Sequence, residues 1–157
     1  MSVFLSSNYN YGPAGRYLEY DLLDDPDLVA EKPTISFETA IWFWMTRRET
    51  KPSCHEVMVG EWIPDEEDKE ANRLPGYGVT TNILNGAEEC GRGGPVEDIT
   101  EKRVKYFNRS SIILGVSMGE NLDCYNQEPF DSLAHLMKKK KEKFPRNGQL
   151  RMPVDQA

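Results

Sequence analysis

Between Phe37 and Met45 the apolar side chains fall at Phe37, Ala40, Ile41, Trp44 and Met45, the i, i+3, i+4, i+7, i+8 spacing of one helix face. Trp42 and Phe43 flank that face, so the helix is apolar almost all round and is expected at the centre of the core. Ser36 offers its N-cap, with Thr39 standing where Glu or Gln would complete a capping box. Large aromatics on such a helix read as packing, and Trp42 and Trp44 are assigned to the core rather than to a ligand platform. Upstream, Asp24, Asp25, Pro26 and Asp27 supply helix-start chemistry for a short helix at Leu28-Val29-Ala30, which Lys32-Pro33 ends. Residues 6–16, SSNYNYGPAGR, break helical periodicity at Gly12-Pro13 and Gly15 and read as an irregular, tyrosine-bearing loop.

Downstream, residues 46–64 carry Pro52, Pro64, Gly60 and many charges, the pattern of a surface excursion. Asp65 to Asn72 reads as a charged helical turn opened by Pro64 and Asp65, and residues 74–78 as a sharp connector. Val79 to Leu84 is a short apolar run ending at Asn85-Gly86, a helix C-cap or turn signal, and six residues cannot separate helix from strand by period. After the turn-rich GRGGP at 91–95, Ile99, Val104, Phe107 and Ile112 stand among charges, which predicts an amphipathic helix over 97–113.

Composition narrows the function classes. The 157 residues suit one domain, and 38% of them are apolar, below the usual share. The longest apolar run, Ala40 to Met45, is far short of the ~20 residues a membrane-spanning helix requires. The first fifteen residues hold no basic stretch and only Val3, Phe4 and Leu5 as an apolar segment, so no export signal is expected. A net charge of −7 argues against nucleic acid and anionic membranes as partners. Residues 131–157 carry seven basic against three acidic side chains, leaving twelve against twenty-three in the first 130. The run LMKKKKEKF at 136–144 reads as a Lys-rich frayed helix or disordered tail, since one short basic run cannot supply a specific binding surface.

No phosphate loop, HExxH, GxSxG or CxxC motif occurs, and His55 and His135 lie in unrelated contexts, so no cofactor, metal centre or Ser/His/Asp machinery is expected. Cys54, Cys90 and Cys124 allow one disulfide or none. The clusters Asp24-Asp25-Asp27 and Asp65-Glu66-Glu67-Asp68 sit in polar stretches and read as solvated faces.

Seven collinear segments carry a more specific signal: NYNYGPAGR (8–16), DLL..PDLVA (21–30), TAIWFWMT (39–46), KPSCHEV (51–57), ANRLPGYGV.TNI.NG (71–86), ECGRG (89–93) and NLDCYNQ (121–127). Together they resemble the catalytic domain of glycoside hydrolase family 19, the plant-type endochitinases, over residues 6 to about 130. The resemblance implies a mainly α, lysozyme-like chitinase fold represented by the C-terminal half of the catalytic domain. Residues 1–130 would be that part, and 131–157 a basic, disordered or helical tail. The family's general acid lies in a His-Glu-Thr-Thr block and its general base shortly after, both upstream of NYNYGPAG. Neither block occurs in this sequence, which therefore reads as a truncated product.

The resemblance assigns Ser6 to the positioning of the attacking water, with Phe4 where the family usually has glutamine. It assigns Tyr9, Asn10, Lys51, Asn85 and Arg103 to sugar contacts, phenol and amide groups being able to hydrogen-bond N-acetyl and hydroxyl groups. Arg103 follows a loop two residues longer than usual and neighbours Lys102 where the family has Asp. Cys90 and Cys124 fall on a pair bridged in the family, leaving Cys54 free, and Ser111 stands where many members have another cysteine. Asn108-Arg109-Ser110 has the form of a glycosylation sequon but lies within the predicted helix and requires export.

Two functions follow as expectations. The first is membership in a family that cleaves β-1,4-linked N-acetylglucosamine polymers in chitin catabolism and defence, the isolated chain being inactive for want of its acid and base. The second is non-catalytic binding, by a monomer, of chitin or N-acetylglucosamine oligomers, weakly because half a cleft offers few subsites. Members are secreted or vacuolar, which leaves the location of this chain open.

Overall fold

The computed structural model of the chain describes residues 8–48, 51–96 and 99–130. Among them lie α1 (Asn8–Leu18), α2 (Leu28–Glu31), α3 (Pro33–Met45), α4 (Cys54–Met58), α5 (Glu66–Glu70), α6 (Tyr77–Glu89) and α7 (Ile99–Leu114). The described residues contain no strand beyond an isolated antiparallel bridge between Arg48 and Lys51. The helices pack in series: α1 and α2 on α3, α3 on α4, α4 on α6, and α6 on α7. Ala14, Leu22, Trp42, Phe43, Val79 and Phe130 lie in one buried apolar cluster that runs through this series. The 131–157 tail lies outside the described residues.

The stretch 6–16, expected as an irregular polar loop, is helical from Asn8 onward, within α1. The glycine that signals a break serves a close approach instead: a Cβ at Gly15 would sit 2.5 Å from the Tyr20 carbonyl oxygen. Glu19 adopts a left-handed φ of 62°, and the Tyr20 amide donates to the Gly15 carbonyl at 3.0 Å, closing the helix as a Schellman cap does. Fully buried Ala14 ties α1 to the core.

The short helix expected at 28–30 is α2, but α3 begins at Pro33 rather than after Ser36. A proline at the first helical position has its φ already set, so the helix starts four residues earlier and Ser36 lies inside it. The buried side of α3 also differs from the expected stripe. Ile35, Thr39, Trp42 and Phe43 face the core, whereas Phe37, Ile41 and Met45 are exposed. A helix apolar all round carries no polar side to fix its orientation, and contacts with α1, α2 and α4 decide it.

The excursion at 46–64 contains the ordered helix α4. Ser53 Oγ accepts from the Glu56 amide at 3.0 Å, and Glu56 Oε2 accepts from the Ser53 amide at 2.8 Å, a complete capping box. Cys54, Val57 and Trp62 from this stretch are buried. The charged turn at 65–72 is α5, capped by Asp65. Asp24, Asp25 and Asp27 are solvated as expected, but Asp68 is not. Its carboxylate accepts from Nε of the buried Arg73 at 2.8 Å, whose Nη1 donates to the Glu128 carbonyl and whose guanidinium lies 4.4 Å from the Phe130 ring centroid. Burial is tolerated because the charge is paired.

The run at 79–84, ambiguous by period, is helical within α6. Its start is clamped by the chain after α7: the Gly78 amide donates to the Asn121 carbonyl at 2.8 Å, and a Cβ on Gly78 would meet the Asp123 carbonyl oxygen at 1.9 Å. Just beyond α6, Cys90 and Cys124 form the disulfide implied by the resemblance, with Cα atoms 5.0 Å apart, and Cys54 is a free buried cysteine.

Candidate functional site

The helix α6 is not continuous. Asn85 departs from helical geometry, with φ −152° and ψ 42°, and divides the helix into two segments. Lys51 Nζ donates to the Ile83 carbonyl at 3.3 Å, placing a cation at the C-terminal end of the first segment, where the helix dipole and the freed carbonyls favour it. Beyond the kink, Asn85 Nδ2 donates to Glu89 Oε1 at 3.0 Å.

Glu89 is 2% exposed and is the centre of the arrangement. Arg103 on α7 reaches it with two parallel bonds, Nε to Oε2 at 2.9 Å and Nη2 to Oε1 at 2.8 Å. The carboxylate therefore accepts from two side chains on two helices at once. Fork-on-carboxylate geometry is the most directional ion pair proteins make. Its hydrogen bond to Glu89 pushes the Arg103 pKa up, against the opposing effect of burial. Tyr77 stacks on Phe107 with ring centroids 4.1 Å apart, a second tie between α6 and α7. Burial pushes the Tyr77 phenol up. Cys54, beneath α6, is raised to about 12 by burial, over the opposing pull of Arg48 and Lys51, which leaves it a packed thiol and no nucleophile.

The residues assigned from the sequence divide into two sets. Asn85 and Arg103 meet through Glu89, and Lys51 contacts the turn of α6 that precedes Asn85. Tyr9 and Asn10 lie in the first turn of α1, the former exposed and the latter buried. Among the described residues neither is hydrogen-bonded to the Asn85 group. Ser6 lies outside the described residues. Sequence reasoning misses Glu89. Its signal is present in the spacing, four residues after Asn85, which on a helix puts the two on one side.

Chemically, the Asn85 group offers amide and guanidinium donors held by a carboxylate that accepts three hydrogen bonds, with the Lys51 ammonium set on the Ile83 carbonyl beside them. Such donors suit neutral hydroxyl and acetamido oxygens. Two open grooves, of about 330 and 340 Å³, lie elsewhere: one against Tyr11, Arg16 and Leu23, the other between Tyr17 on α1 and Ile41 and Met45 on α3.

The family model described as chitinase class I matches residues 2–124. The chain is 56% identical over 128 residues to an endochitinase of Persea americana, covering 82% of this chain and 39% of that protein. It is 55% identical over 130 residues to chitinase 1 of Oryza sativa subsp. japonica, covering 83% and 40%. The chain thus spans about two fifths of the length of the curated relatives it matches. Among solved structures it is similar to chitinase C from Streptomyces griseus HUT6037, at 30% identity and a TM-score of 0.59 over 74% of this chain and 41% of that one. A bacterial family 19 chitinase matches at 31% identity and a TM-score of 0.57, over 74% of this chain and 50% of that one.

Proposed function

This chain belongs to the class I chitinase family, and from that membership we propose that it supplies the sugar-positioning part of a chitin-cleaving cleft. The observation that carries this reading is the joint hold of Glu89 on Asn85 and Arg103. It fixes two donors from different helices relative to each other, as a subsite for N-acetylglucosamine oligomers requires. Lys51, Tyr9 and Asn10 contribute further contacts along the same cleft, and Ser6 holds the attacking water. Residues 1–130 constitute this part of the catalytic domain, and residues 131–157 a tail outside it.

In an inverting glycosidase one carboxylic acid protonates the glycosidic oxygen while a carboxylate ~6.5 to 9.5 Å away activates water on the opposite face of the sugar. Glu89 does neither: buried and accepting three hydrogen bonds, it is a positioning residue for Asn85 and Arg103. The sequence holds no His-Glu-Thr-Thr block to furnish the acid. Each missing acid or base is typically worth ~10² to 10⁴-fold, so the 157-residue chain alone binds chitin oligomers without appreciable turnover. Titration with a hexamer of N-acetylglucosamine, alongside an assay of its hydrolysis, tests this. Binding that disappears in Asn85→Ala, with no cleavage, supports the reading. Cleavage at a rate near that of a full-length relative, or no binding by folded protein, overturns it.

A further inference from the structure

Asn108-Arg109-Ser110, within α7, has the acceptor form for N-linked glycosylation: an asparagine, a residue other than proline, and a hydroxyl. No other asparagine of the 157 residues has Ser or Thr at that spacing. A finished helix is no bar to the modification, because the glycan is transferred to the entering chain before α7 has formed. The folded position decides only whether a bulky, solvated group fits there.

Among the described helices α7 packs on α6 alone. The side it lays there carries buried Thr100 and Ser111, Arg103 reaching Glu89, and Phe107 stacked on Tyr77. At about 100° per residue, Asn108 stands roughly 140° round the helix from Arg103. It is half-buried, at the border of the packed side. Its neighbours in line along the helix open to water: the Lys105 side chain, one turn before, is 74% exposed, and Ile112, one turn after, is 73% exposed. Arg109 and Ser110 are exposed as well. The Asn108 carboxamide enters no hydrogen bond among the described residues, so linking it to a sugar breaks no contact within the fold.

The Cys90–Cys124 bridge supplies the compartment. Disulfides form and persist in oxidising surroundings such as the lumen of the endoplasmic reticulum, where N-glycans are also transferred. We propose that Asn108 is an N-glycosylation site, modified when this chain enters the secretory pathway. Its carboxamide nitrogen attacks the anomeric carbon of an N-acetylglucosamine-based oligosaccharide carried on a polyprenyl diphosphate. The new C–N bond replaces the C–O bond to the diphosphate, which leaves with that bond's electron pair, while the nitrogen gives one proton to a basic group of the transferase. Ser110 supplies the hydroxyl by which the acceptor is read. The glycan leaves α7 on the side away from the Glu89–Arg103 pair and lies beside the exposed Ile112.

The site is independent of sugar binding at the Asn85 group, and its test reads mass and folding alone. The full 157-residue chain is directed into the secretory pathway of cultured human cells by a cleavable leader peptide. Intact mass is measured in medium and cell extract, before and after treatment with peptide N-glycosidase. One glycan is expected on most molecules, and the enzyme should remove it. Asn108→Gln and Ser110→Ala should each abolish the added mass, while Ser110→Thr retains it. Glycosylated and enzyme-treated protein should share one helical circular dichroism spectrum. Unmodified chain in both medium and extract, a glycan that survives Asn108→Gln, or a glycan confined to molecules without the native helical spectrum overturns the proposal.

Discussion

Glu89 at the end of α6 and Arg103 on α7, fourteen positions apart, are joined by two bonds of 2.9 and 2.8 Å. The pair is buried on the carboxylate side and binds the last helix to the kinked one. Arg103→Ala strands the Glu89 carboxylate with Asn85 alone and is expected to cost about 3 to 5 kcal/mol, the range for breaking a buried pair from one side. Arg103→Lys keeps the charge but loses the two-point geometry and should fall between wild type and Ala. Urea unfolding measures both, and equal midpoints for wild type and Ala would show that the pair contributes nothing.

The Cys90–Cys124 bridge spans 34 residues, a loop whose closure stabilises by roughly 3 to 4 kcal/mol on chain-entropy grounds. Cys90→Ser with Cys124→Ser should lower the urea midpoint accordingly. Counting thiols checks the pairing independently. Cys54 is buried with its thiol raised to about 12, so a maleimide at pH 8 should label the folded, unreduced protein slowly. In urea one thiol should react, and after reduction three.

Acid should weaken the protein partly through Glu56. The guanidinium of Arg47, first, and the Ser53 amide hold its carboxyl at about 2, below its ordinary 4.5. The folded state then binds fewer protons than the unfolded one between those values, so this contribution is full above about 4.5 and is lost as pH falls toward 2. Arg47 is 64% exposed, and solvent screening limits the pair to about 1 kcal/mol or less, with the cap adding a similar amount. Unfolding midpoints of wild type and Glu56→Gln should differ at pH 7 and converge only as pH falls toward 2.

Gly78 and Gly94 make a controlled comparison. A methyl group at Gly78 would collide with the Asp123 backbone, whereas nothing lies within 4 Å of a Cβ at Gly94. Gly78→Ala is expected to cost more than about 3 kcal/mol, in the tail of single-mutant effects, and Gly94→Ala less than about 0.5. Thermal melts of the two variants decide it, and a stable Gly78→Ala protein would contradict the close approach of α6 to the 121–123 chain.

Helices whose signals are local are legible in the order of amino acids. The Asp65 cap precedes α5, Pro26 and Asp27 precede α2, and the spaced apolar residues of α7 sit among charges. These signals depend on hydrogen bonds and periodicity within a few residues. Residues 6–16 read as a loop because Gly12, Pro13 and Gly15 signal a turn locally, and only the passage of Tyr20 and Leu22 against Gly15 explains the glycine in a helix.

The site shows the same division. Lys51, Asn85 and Arg103 are identifiable through the resemblance of their surrounding motifs, whereas Glu89, which joins two of them, stands in the sequence only as one letter of the ECGRG block. Asn85 before Gly86 also has the form of a turn residue, and it breaks α6 while donating to Glu89.

By itself the sequence determined the family, the helical composition and the cysteines available for a bridge, because each is written in contiguous or collinear residues. Tertiary structure alone decided which side of α3 is buried, that Asp68 is paired rather than solvated, and that Glu89 gathers Asn85 and Arg103. Those outcomes depend on contacts between helices. A helix apolar on every side, or a carboxylate in a charged run, carries no local mark of the neighbour that will cover or pair with it.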